Sequence, residues 1–484
     1  MKKNRLFVFL IVFMVAAGPI IGGATAQTEI EGVCMITNEG GRVNDGTFNT
    51  LTYDGMLRAA EDFDLETTFI ETVGAADYEA NFEICVDEGF DIILTVGFLI
   101  TDATFEAAQA NPDVLFVGID QFYGEALPNL VGLQFREDQG GFMAGALAAM
   151  MTESGVVGGV YGQAIPPVVR FRTGFENGVR YIDPDVTALG AYIDDFNDPA
   201  GGAATAEQYL GEGADVIMGA GGPTGSGAIT FAAQQGALVI GVDLDEYFTT
   251  FGGGETPGAE NIISSSIKRV DNGVYDMIAA AVDGTGFPEN SLYVLEVANE
   301  GIGFAPPNEA DVPEDVTADL EAILTGLQIG EIMTGADPVT GAQLGTIRQV
   351  LEASGDFGIM LDLYEAADLL DRLESPGPIT VLALTDETIN AALSSFGITQ
   401  DALRSDPGLL STVLRYHLLS PAIYGRILST ETTVTAANGA NINVDVTERG
   451  IRLNRSATVT TADINAANGL IHVISRVLLP PGVG

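Results

Sequence analysis

Lysine and other basic residues are scarce in this 484-residue sequence. Lys2 and Lys3 lie at the amino terminus, and Lys268 is the only other lysine. Against 67 aspartates and glutamates there are 20 lysines and arginines, so the formal net charge at pH 7 is -47. Such a charge disfavours binding to nucleic acid or to anionic membrane surfaces. It indicates a heavily hydrated surface, and no nucleic-acid partner is predicted.

Histidine occurs only twice, as His417 and His472. No imidazole general base is therefore available upstream of His417. The sequence contains no P-loop, no G-x-S-x-G and no H-E-x-x-H motif. The glycine-rich segment at 219–227 lacks the P-loop lysine, which disfavours phosphate binding. No catalytic residue, metal ligand or cofactor is predicted, the protein is expected not to be an enzyme, and the histidines are expected to be hydrogen-bonded within the fold.

The only cysteines are Cys34 and Cys85. Two thiols do not make a disulfide-dense scaffold. Export to an oxidising compartment would permit one bridge between them. Two buried thiols are nevertheless the expected state, because free cysteine is among the most buried residue types.

The amino terminus has the features of a secretory signal. Three basic residues within the first five precede an apolar run from Leu6 to Ala17, and small residues follow up to Ala26. This pattern predicts a signal peptide over 1–26 that is removed after Ala26. No cysteine lies near the cut, so no lipid anchor is expected there. The mature protein is predicted to be exported and extracytoplasmic.

Short β-rich runs alternate with helical stretches from Glu31 onward. GVCMIT, DIILTVG and VLFVGID belong to a first series, and GVVGGVYG, DVIMGA and ALVIGVD to a second. Nearly continuous apolar strands, each followed by a helix, are typical of parallel sheets that are covered on both faces. The pattern predicts two doubly wound α/β lobes with a ligand cleft at the carboxyl ends of their strands.

Polar and aromatic residues follow these strands at the edge where the cleft would lie. A carboxylate fixed by a buried strand can accept hydrogen bonds from ligand hydroxyls, and a phenylalanine offers a face for stacking. Each polar residue could instead cap the next helix. Four strand ends that converge favour a ligand site. The candidates are Asn38, Asp45, Phe48, Asn49, Phe98, Asp120 and Asp243.

Several segments between about residues 30 and 333 carry a family resemblance. They include NDGTFN, TVGFLITDA, VLFVGID, DQGGFMAGALAAMM, VIGVDLDE and SSSIKRVDNGV. In this order they resemble the basic membrane protein family of ABC-transporter substrate-binding proteins, which includes purine nucleoside receptors. The resemblance implies a type I periplasmic-binding-protein fold over 27–334. It also implies a nucleoside-like ligand held between the lobes and a membrane permease as partner.

The resemblance also implies roles for individual residues. Phe48 matches the aromatic residue that stacks on the base, and Asp120, Asp243 and Lys268 match polar positions that hold the ribose and the base. Arginine is wider and planar, whereas lysine is a compact charge on a slim stem. A narrow cleft could therefore admit Lys268 and exclude arginine, which would explain why one lysine persists.

A glycine turn and two departures complete the candidate site. Gly222 and Thr224 belong to the turn that matches the family's cleft-lining loop. Asn38 stands where the family usually has aspartate, and Ile229 stands where it often has an aromatic residue. These two departures leave the identity of the base open.

The carboxyl-terminal region differs in kind. TVLALTDETI, YHLL and NGLIHVISRVLLP resemble a fasciclin-like domain over 344–484. The resemblance implies an α+β domain for extracellular adhesion or contact with a protein or matrix partner. The segment 335–343 contains Pro338 between flanking glycines, which predicts an exposed linker.

Three functions remain open at this stage. The first is an exported receptor that feeds a nucleoside-like ligand to an ABC importer. The second is an extracellular adhesion or sensor protein whose lobes do not feed a transporter. The third is an exported hydrolase that acts on nucleosides through carboxylate chemistry.

Overall fold

The computed structural model describes residues 30–375, 377–447 and 450–483. The predicted signal peptide at 1–26 lies outside the described residues. Within the described ranges, every helix is too short or too polar to span a lipid bilayer.

The first lobe begins with alternating strands and helices. Strands β1 and β3 are buried along their whole length because helices cover both faces of the sheet. The elements are β1 (Gly32–Ile36), α1 (Phe48–Phe63), β2 (Glu66–Ile70), α2 (Tyr78–Asp87), β3 (Ile92–Val96), α3 (Thr101–Ala110), β4 (Leu115–Ile119) and β5 (Leu130–Phe135).

The second lobe repeats this alternation. Its strands β8 and β9 are again almost entirely buried. The elements are α4 (Glu137–Met151), β6 (Val156–Tyr161), α5 (Pro166–Ile182), β7 (Thr187–Tyr192), α6 (Pro199–Gly211), β8 (Val216–Ala220), α7 (Gly222–Gln234), β9 (Leu238–Asp243), α8 (Glu246–Thr249) and β10 (Ile262–Lys268).

The chain then returns to both lobes through α9 (Val270–Val282), β11 (Leu292–Leu295), β12 (Ile302–Phe304) and α10 (Glu314–Ile329). The first sheet has the order β11-β5-β4-β3-β1-β2, and the second has the order β12-β10-β9-β8-β6-β7. The chain therefore crosses between the lobes after β5, after β10 and after β11. The two doubly wound lobes that the sequence predicted are confirmed.

The cysteines form a disulfide, which corrects the expectation of two buried thiols. Cys34 lies on β1 and Cys85 on α2, and their Cα atoms are 5.9 Å apart. The helix packs directly on the strand, so both side chains point into the same completely buried layer. The cysteines are 51 positions apart in the sequence, which gave no sign of this proximity.

The carboxyl-terminal region is an α+β unit with its own hydrophobic core. Its seven strands form one sheet in the order β14-β13-β19-β18-β17-β16-β15. The elements are α11 (Ile347–Ser354), α12 (Gly358–Ala366), β13 (Ile379–Ala383), α13 (Asp386–Phe396), α14 (Gln400–Arg404), α15 (Pro407–Tyr416), β14 (Leu418–Leu419), α16 (Gly425–Leu428), β15 (Thr433–Thr435), β16 (Asn441–Thr447), β17 (Gly450–Leu453), β18 (Ala457–Ala466) and β19 (Gly469–Ile474).

The segment 335–343 is a packed hairpin, whereas the sequence predicted an exposed linker. Ala336 and Gln343 form an antiparallel bridge. The amide of Asp337 donates to the carbonyl of Ala342 at 2.8 Å. Ala336 is 3% exposed. The hairpin packs against both lobes, so part of its backbone is removed from solvent.

Both histidines are completely buried and hydrogen-bonded to the backbone. His417 Nδ1 lies 2.8 Å from the carbonyl oxygen of Val413, and its Nε2 accepts from the amide of Leu478 at 3.0 Å. His472 Nδ1 accepts from the amide of Asp463 at 3.1 Å. The expectation of histidines bonded within the fold is confirmed. Burial lowers the pKa of His417 to about 4.

We predict that His417 destabilises the C-terminal region in mild acid. The unfolded chain binds a proton at His417 below about pH 6.5, whereas the folded chain does not until about pH 4. Stability should therefore fall as the pH drops through this window, by about 3 kcal/mol in total from this residue. Calorimetric unfolding of the full chain from pH 7 to pH 4 measures the effect. In His417→Gln the acid-dependent loss should be smaller than in the wild type, and parallel curves would contradict the prediction.

Candidate functional site

A cavity of about 300 Å³ lies between the carboxyl ends of the strands of the two lobes. The loop after β1 and the ends of β3 and β4 line it from the first lobe, and the ends of β7, β8 and β9 line it from the second. Most of the predicted site residues face this cavity. They are Asn38, Asp45, Phe48, Asn49, Phe98, Asp120, Gly222, Asp243 and Lys268.

Two predicted site residues, Thr224 and Ile229, do not line the cavity. The hydroxyl of Thr224 donates to the carbonyl of Asp195 at 2.8 Å and accepts from the amide of Asp198 at 2.9 Å. Ile229 is completely buried in the core of the second lobe. Helix α7 begins at Gly222, so these side chains turn inward toward the sheet. The prediction was wrong for both residues.

The loop after β1 is held by Asp45. Its carboxylate accepts hydrogen bonds from the amides of Thr47 at 2.9 Å and Asn49 at 3.1 Å. It also accepts from the side-chain amide of Asn49 at 2.7 Å, and the same amide donates to Asn38 at 2.7 Å. Asp45 therefore caps α1, as the alternative interpretation held, and it also orients two amides at the cavity.

Lys268 is buried at the end of β10, where the chain crosses between the lobes. Its Nζ lies 2.7 Å from both carboxylate oxygens of Asp120 and 2.8 Å from Oε1 of Glu137. The ring centroids of Phe48 and Phe135 lie 4.8 Å and 4.7 Å from the same nitrogen. The lysine side chain is 3% exposed. Lys268 therefore holds Asp120 in place at the wall of the cavity.

Glu137 and Arg170 belong to the same cluster, and sequence reasoning missed both. Arg170 Nε lies 2.5 Å from Oε2 of Glu137, and both side chains are almost fully buried. Together with Lys268 and Asp120 they make a buried cluster of two cations and two anions. The run Arg136-Glu137-Asp138 directly after β5 was the available signal of a buried charge cluster, because charged residues are almost never fully buried unless they are paired, but it did not identify the partners.

The pKa values of the cavity acids reflect burial opposed by the nearby cations. Burial raises the pKa of Asp243 to about 6, with Lys268 acting against it. Burial also raises the pKa of Asp120, and Lys268 again opposes the shift. Burial acts to raise the pKa of Glu137, but Arg170 and Lys268 outweigh it and hold that pKa below its ordinary value. Asp243 is thus mostly ionised at neutral pH.

The two strand-end aspartates share an uncommon backbone geometry. Asp120 and Asp243 have φ angles of 61° and 68°, in the left-handed region that side chains other than glycine adopt at a cost. Both carboxylate oxygens of Asp120 accept hydrogen bonds from Lys268. Among the described residues, the carboxylate of Asp243 has no hydrogen-bonding partner. Its oxygens can therefore accept hydrogen bonds from a ligand.

We predict that Lys268→Met destabilises the protein strongly. The change leaves Asp120 and Glu137 buried with only Arg170 as a countercharge, and breaking a buried ion pair typically costs about 3–5 kcal/mol. Adding Glu137→Gln should recover part of the loss. Arg58→Met is the matched control, because Arg58 pairs with Asp271 at the surface and should cost about 1 kcal/mol or less. Equal losses in the two single variants, measured by chemical unfolding, would contradict this account.

Comparison with known proteins identifies the family of each part of the chain. Residues 33–332 match the family described as ABC transporter substrate-binding protein PnrA-like, and residues 355–480 match the fasciclin domain. The chain is similar to basic membrane protein A of Borreliella burgdorferi, with 31% identity over 56% of this chain and 77% of that protein. It is also similar to the ABC transporter nucleoside-binding protein BmpA of Lactococcus lactis, with 25% identity over 61% of this chain and 88% of that protein.

A solved structure shows the same architecture. The chain is similar to an ABC transporter solute-binding protein from Aeropyrum pernix, with 27% identity and a TM-score of 0.55. The match covers 63% of this chain and 92% of the other. The family resemblance of the two-lobed region and that of the C-terminal domain are both confirmed.

Proposed function

The chain belongs to the PnrA-like family of ABC transporter substrate-binding proteins, and we propose that it binds a nucleoside in the cavity between its lobes. It would release the ligand unchanged to the permease of an importer. The observation that carries this proposal is one cavity that combines an aromatic ring, Phe48, with the strand-end carboxylates of Asp120 and Asp243.

The two halves of a nucleoside need different surfaces. A base has a flat apolar face that stacks on an aromatic ring, and Phe48 in the first lobe and Phe196 in the second both line the cavity. A ribose has hydroxyl donors, and the carboxylate of Asp243 is a free acceptor. Asn38 and Asn49 supply amides that can meet the edge of a base. The similar protein from Lactococcus lactis is named for nucleoside binding, which supports the same class of ligand.

The site supports binding and release of an unchanged ligand in preference to a chemical reaction on it. Among the described residues, the cavity lining contains no histidine, and its cations are Arg42 and Lys268, of which Lys268 is paired with Asp120. Hydrolysis of the ligand is the competing function. Nucleoside that is recovered intact after incubation with the purified protein, as measured by chromatography, would contradict hydrolysis.

We also propose that the fasciclin-like domain contacts an extracellular partner. Three large apolar side chains on its surface, Phe396, Ile398 and Leu409, are 55%, 41% and 36% exposed. They border a cavity of about 260 Å³ with an almost entirely apolar lining. Apolar surface of this kind favours a contact with an apolar partner.

We predict that titration calorimetry of the full chain detects binding of purine or pyrimidine nucleosides but not of free ribose. Phe48→Ala should weaken this binding by roughly 1–3 kcal/mol, the usual contribution of stacking between a base and an aromatic ring. Phe248→Ala is the matched control, since Phe248 is 61% exposed and does not line the cavity. The absence of nucleoside binding, or equal affinities in the two variants, would overturn the proposal.

We predict that Lys268→Arg keeps the fold but loses most of the ligand affinity. The position is enclosed by two phenylalanine rings and two carboxylates, so a guanidinium displaces Asp120 from the cavity wall. A loss of at least tenfold corresponds to about 1.4 kcal/mol. Calorimetry gives the affinity, and circular dichroism checks the fold. Wild-type affinity in this variant would show that the lone lysine has no special role.

A further inference from the structure

The hairpin at 335–343 contacts both lobes near the segments where the chain crosses from one lobe to the other. These segments are called the crossing. The side-chain amide of Gln134, at the end of β5 in the first lobe, donates to the carbonyl of Pro338 at 2.9 Å. The guanidinium of Arg170, on α5 in the second lobe, donates to the carbonyl of Val339. One short segment thus contacts both lobes.

The hairpin presses directly on the backbone of α5. Gly341 has a φ of +76°, and a Cβ atom at this position would lie 2.5 Å from the amide nitrogen of Arg170. Only glycine permits this approach. The hairpin is closed by its own hydrogen bond from Leu344 to the carbonyl of Gly335 at 2.8 Å. The carbonyl that Arg170 contacts is therefore held in a fixed position.

A continuous line of charged contacts runs from the hairpin to the cavity. Arg170 joins the carbonyl of Val339 to Glu137, Glu137 joins Arg170 to Lys268, and Lys268 joins Glu137 to Asp120. Arg170, Glu137, Lys268 and Asp120 are all nearly excluded from solvent. Loss of one ion pair in this line changes the electrostatic energy of the neighbouring pair, because buried charges are poorly screened.

A second set of contacts reaches the C-terminal domain. Arg136 binds the carboxylate of Asp138 with two hydrogen bonds of 2.8 Å. Asp138 also accepts a hydrogen bond from the hydroxyl of Thr334, next to the hairpin. Arg136 in turn contacts Tyr424 of the fasciclin-like domain. The hairpin and this domain are therefore packed against the same crossing.

We infer that Arg170 is a positioning residue for the ligand cavity and that the hairpin at 335–343 holds it in its working orientation. The hairpin's hydrogen bonds to Gln134, Arg170 and Arg180 are to the two-lobed region. The hairpin nevertheless lies between residues 332 and 355, outside both family matches. The inference rests on the proposed function, because it concerns how Asp120 and Lys268 are presented to a ligand.

The experiment compares glycines that share the same backbone strain. Gly341→Ala places a methyl group against α5, whereas Gly355→Ala has a φ of +75° and meets nothing within 4 Å. Hydrogen-deuterium exchange of the ligand-free full chain should rise around 134–138 and 266–270 in the first variant only. Guanosine and inosine titrations should show an affinity loss of about tenfold or more in Gly341→Ala and little change in Gly355→Ala. Matching behaviour of the two variants would overturn the inference.

A pH profile separates positioning from simple loss of structure. Asp120 faces Lys268, Glu137 and Arg170, and removal of the Arg170 charge favours its protonation. The pKa of Asp243, the other acid of the cavity, depends on burial, Lys268, Glu246, Glu137 and Asp45 and not on Arg170, so a shift between the variants reports Asp120. In Arg170→Leu, guanosine affinity should therefore begin to fall at a higher pH than in the wild type, and Arg170→Lys should restore part of the shift. An unchanged midpoint contradicts the inference. If the wild type binds neither guanosine nor inosine, the proposed function fails for these ligands, and the exchange data alone decide the inference.

Discussion

A buried lysine joins the two lobes at the point where the chain crosses between them. Lys268 contacts Asp120 from the first lobe and Glu137 from the start of α4. Taking these charges out of water costs several kcal/mol for each ion, and their mutual attraction offsets that cost only if every partner is in place. Arg170 completes the neutral set from the second lobe. The geometry of the cavity therefore depends on this one cluster.

The cluster also explains why two aspartates at equivalent strand ends have different roles. Asp120 is bound by Lys268 through both of its oxygens, so it stiffens the wall of the cavity. Asp243 makes no such bond among the described residues, and burial raises its pKa to about 6. The carboxylate of Asp120 is therefore held in place by a cation of the protein, whereas that of Asp243 is available as an acceptor. Both residues have a left-handed backbone conformation, and both line the same cavity.

The two domain types have separate hydrophobic cores, but the segment that connects them contacts both lobes. The C-terminal region has a hydrophobic cluster and a sheet of its own. The hairpin before it, however, bonds to Gln134 and Arg170 in the two lobes. In a simple fusion this segment would only connect the two domains. Here it also contacts the region where the chain crosses between the lobes. The boundaries at 334 and 344 remain a prediction, because separate cores do not by themselves establish independent folding.

The sequence alone determined the features that depend on local pattern. Continuous apolar strands predicted the two sheets. Residues directly after those strands, such as Asp120 in the first sheet and Asp243 in the second, reach one cavity because the carboxyl ends of both sheets face it. The tertiary structure decided what depends on distant pairs. Lys268 and Asp120 are 148 positions apart, and Cys34 and Cys85 are 51 apart. Contacts over such separations leave no local signature of which residues pair, so the pairing of Glu137 with Arg170, the disulfide and the packed hairpin became evident only in the folded chain.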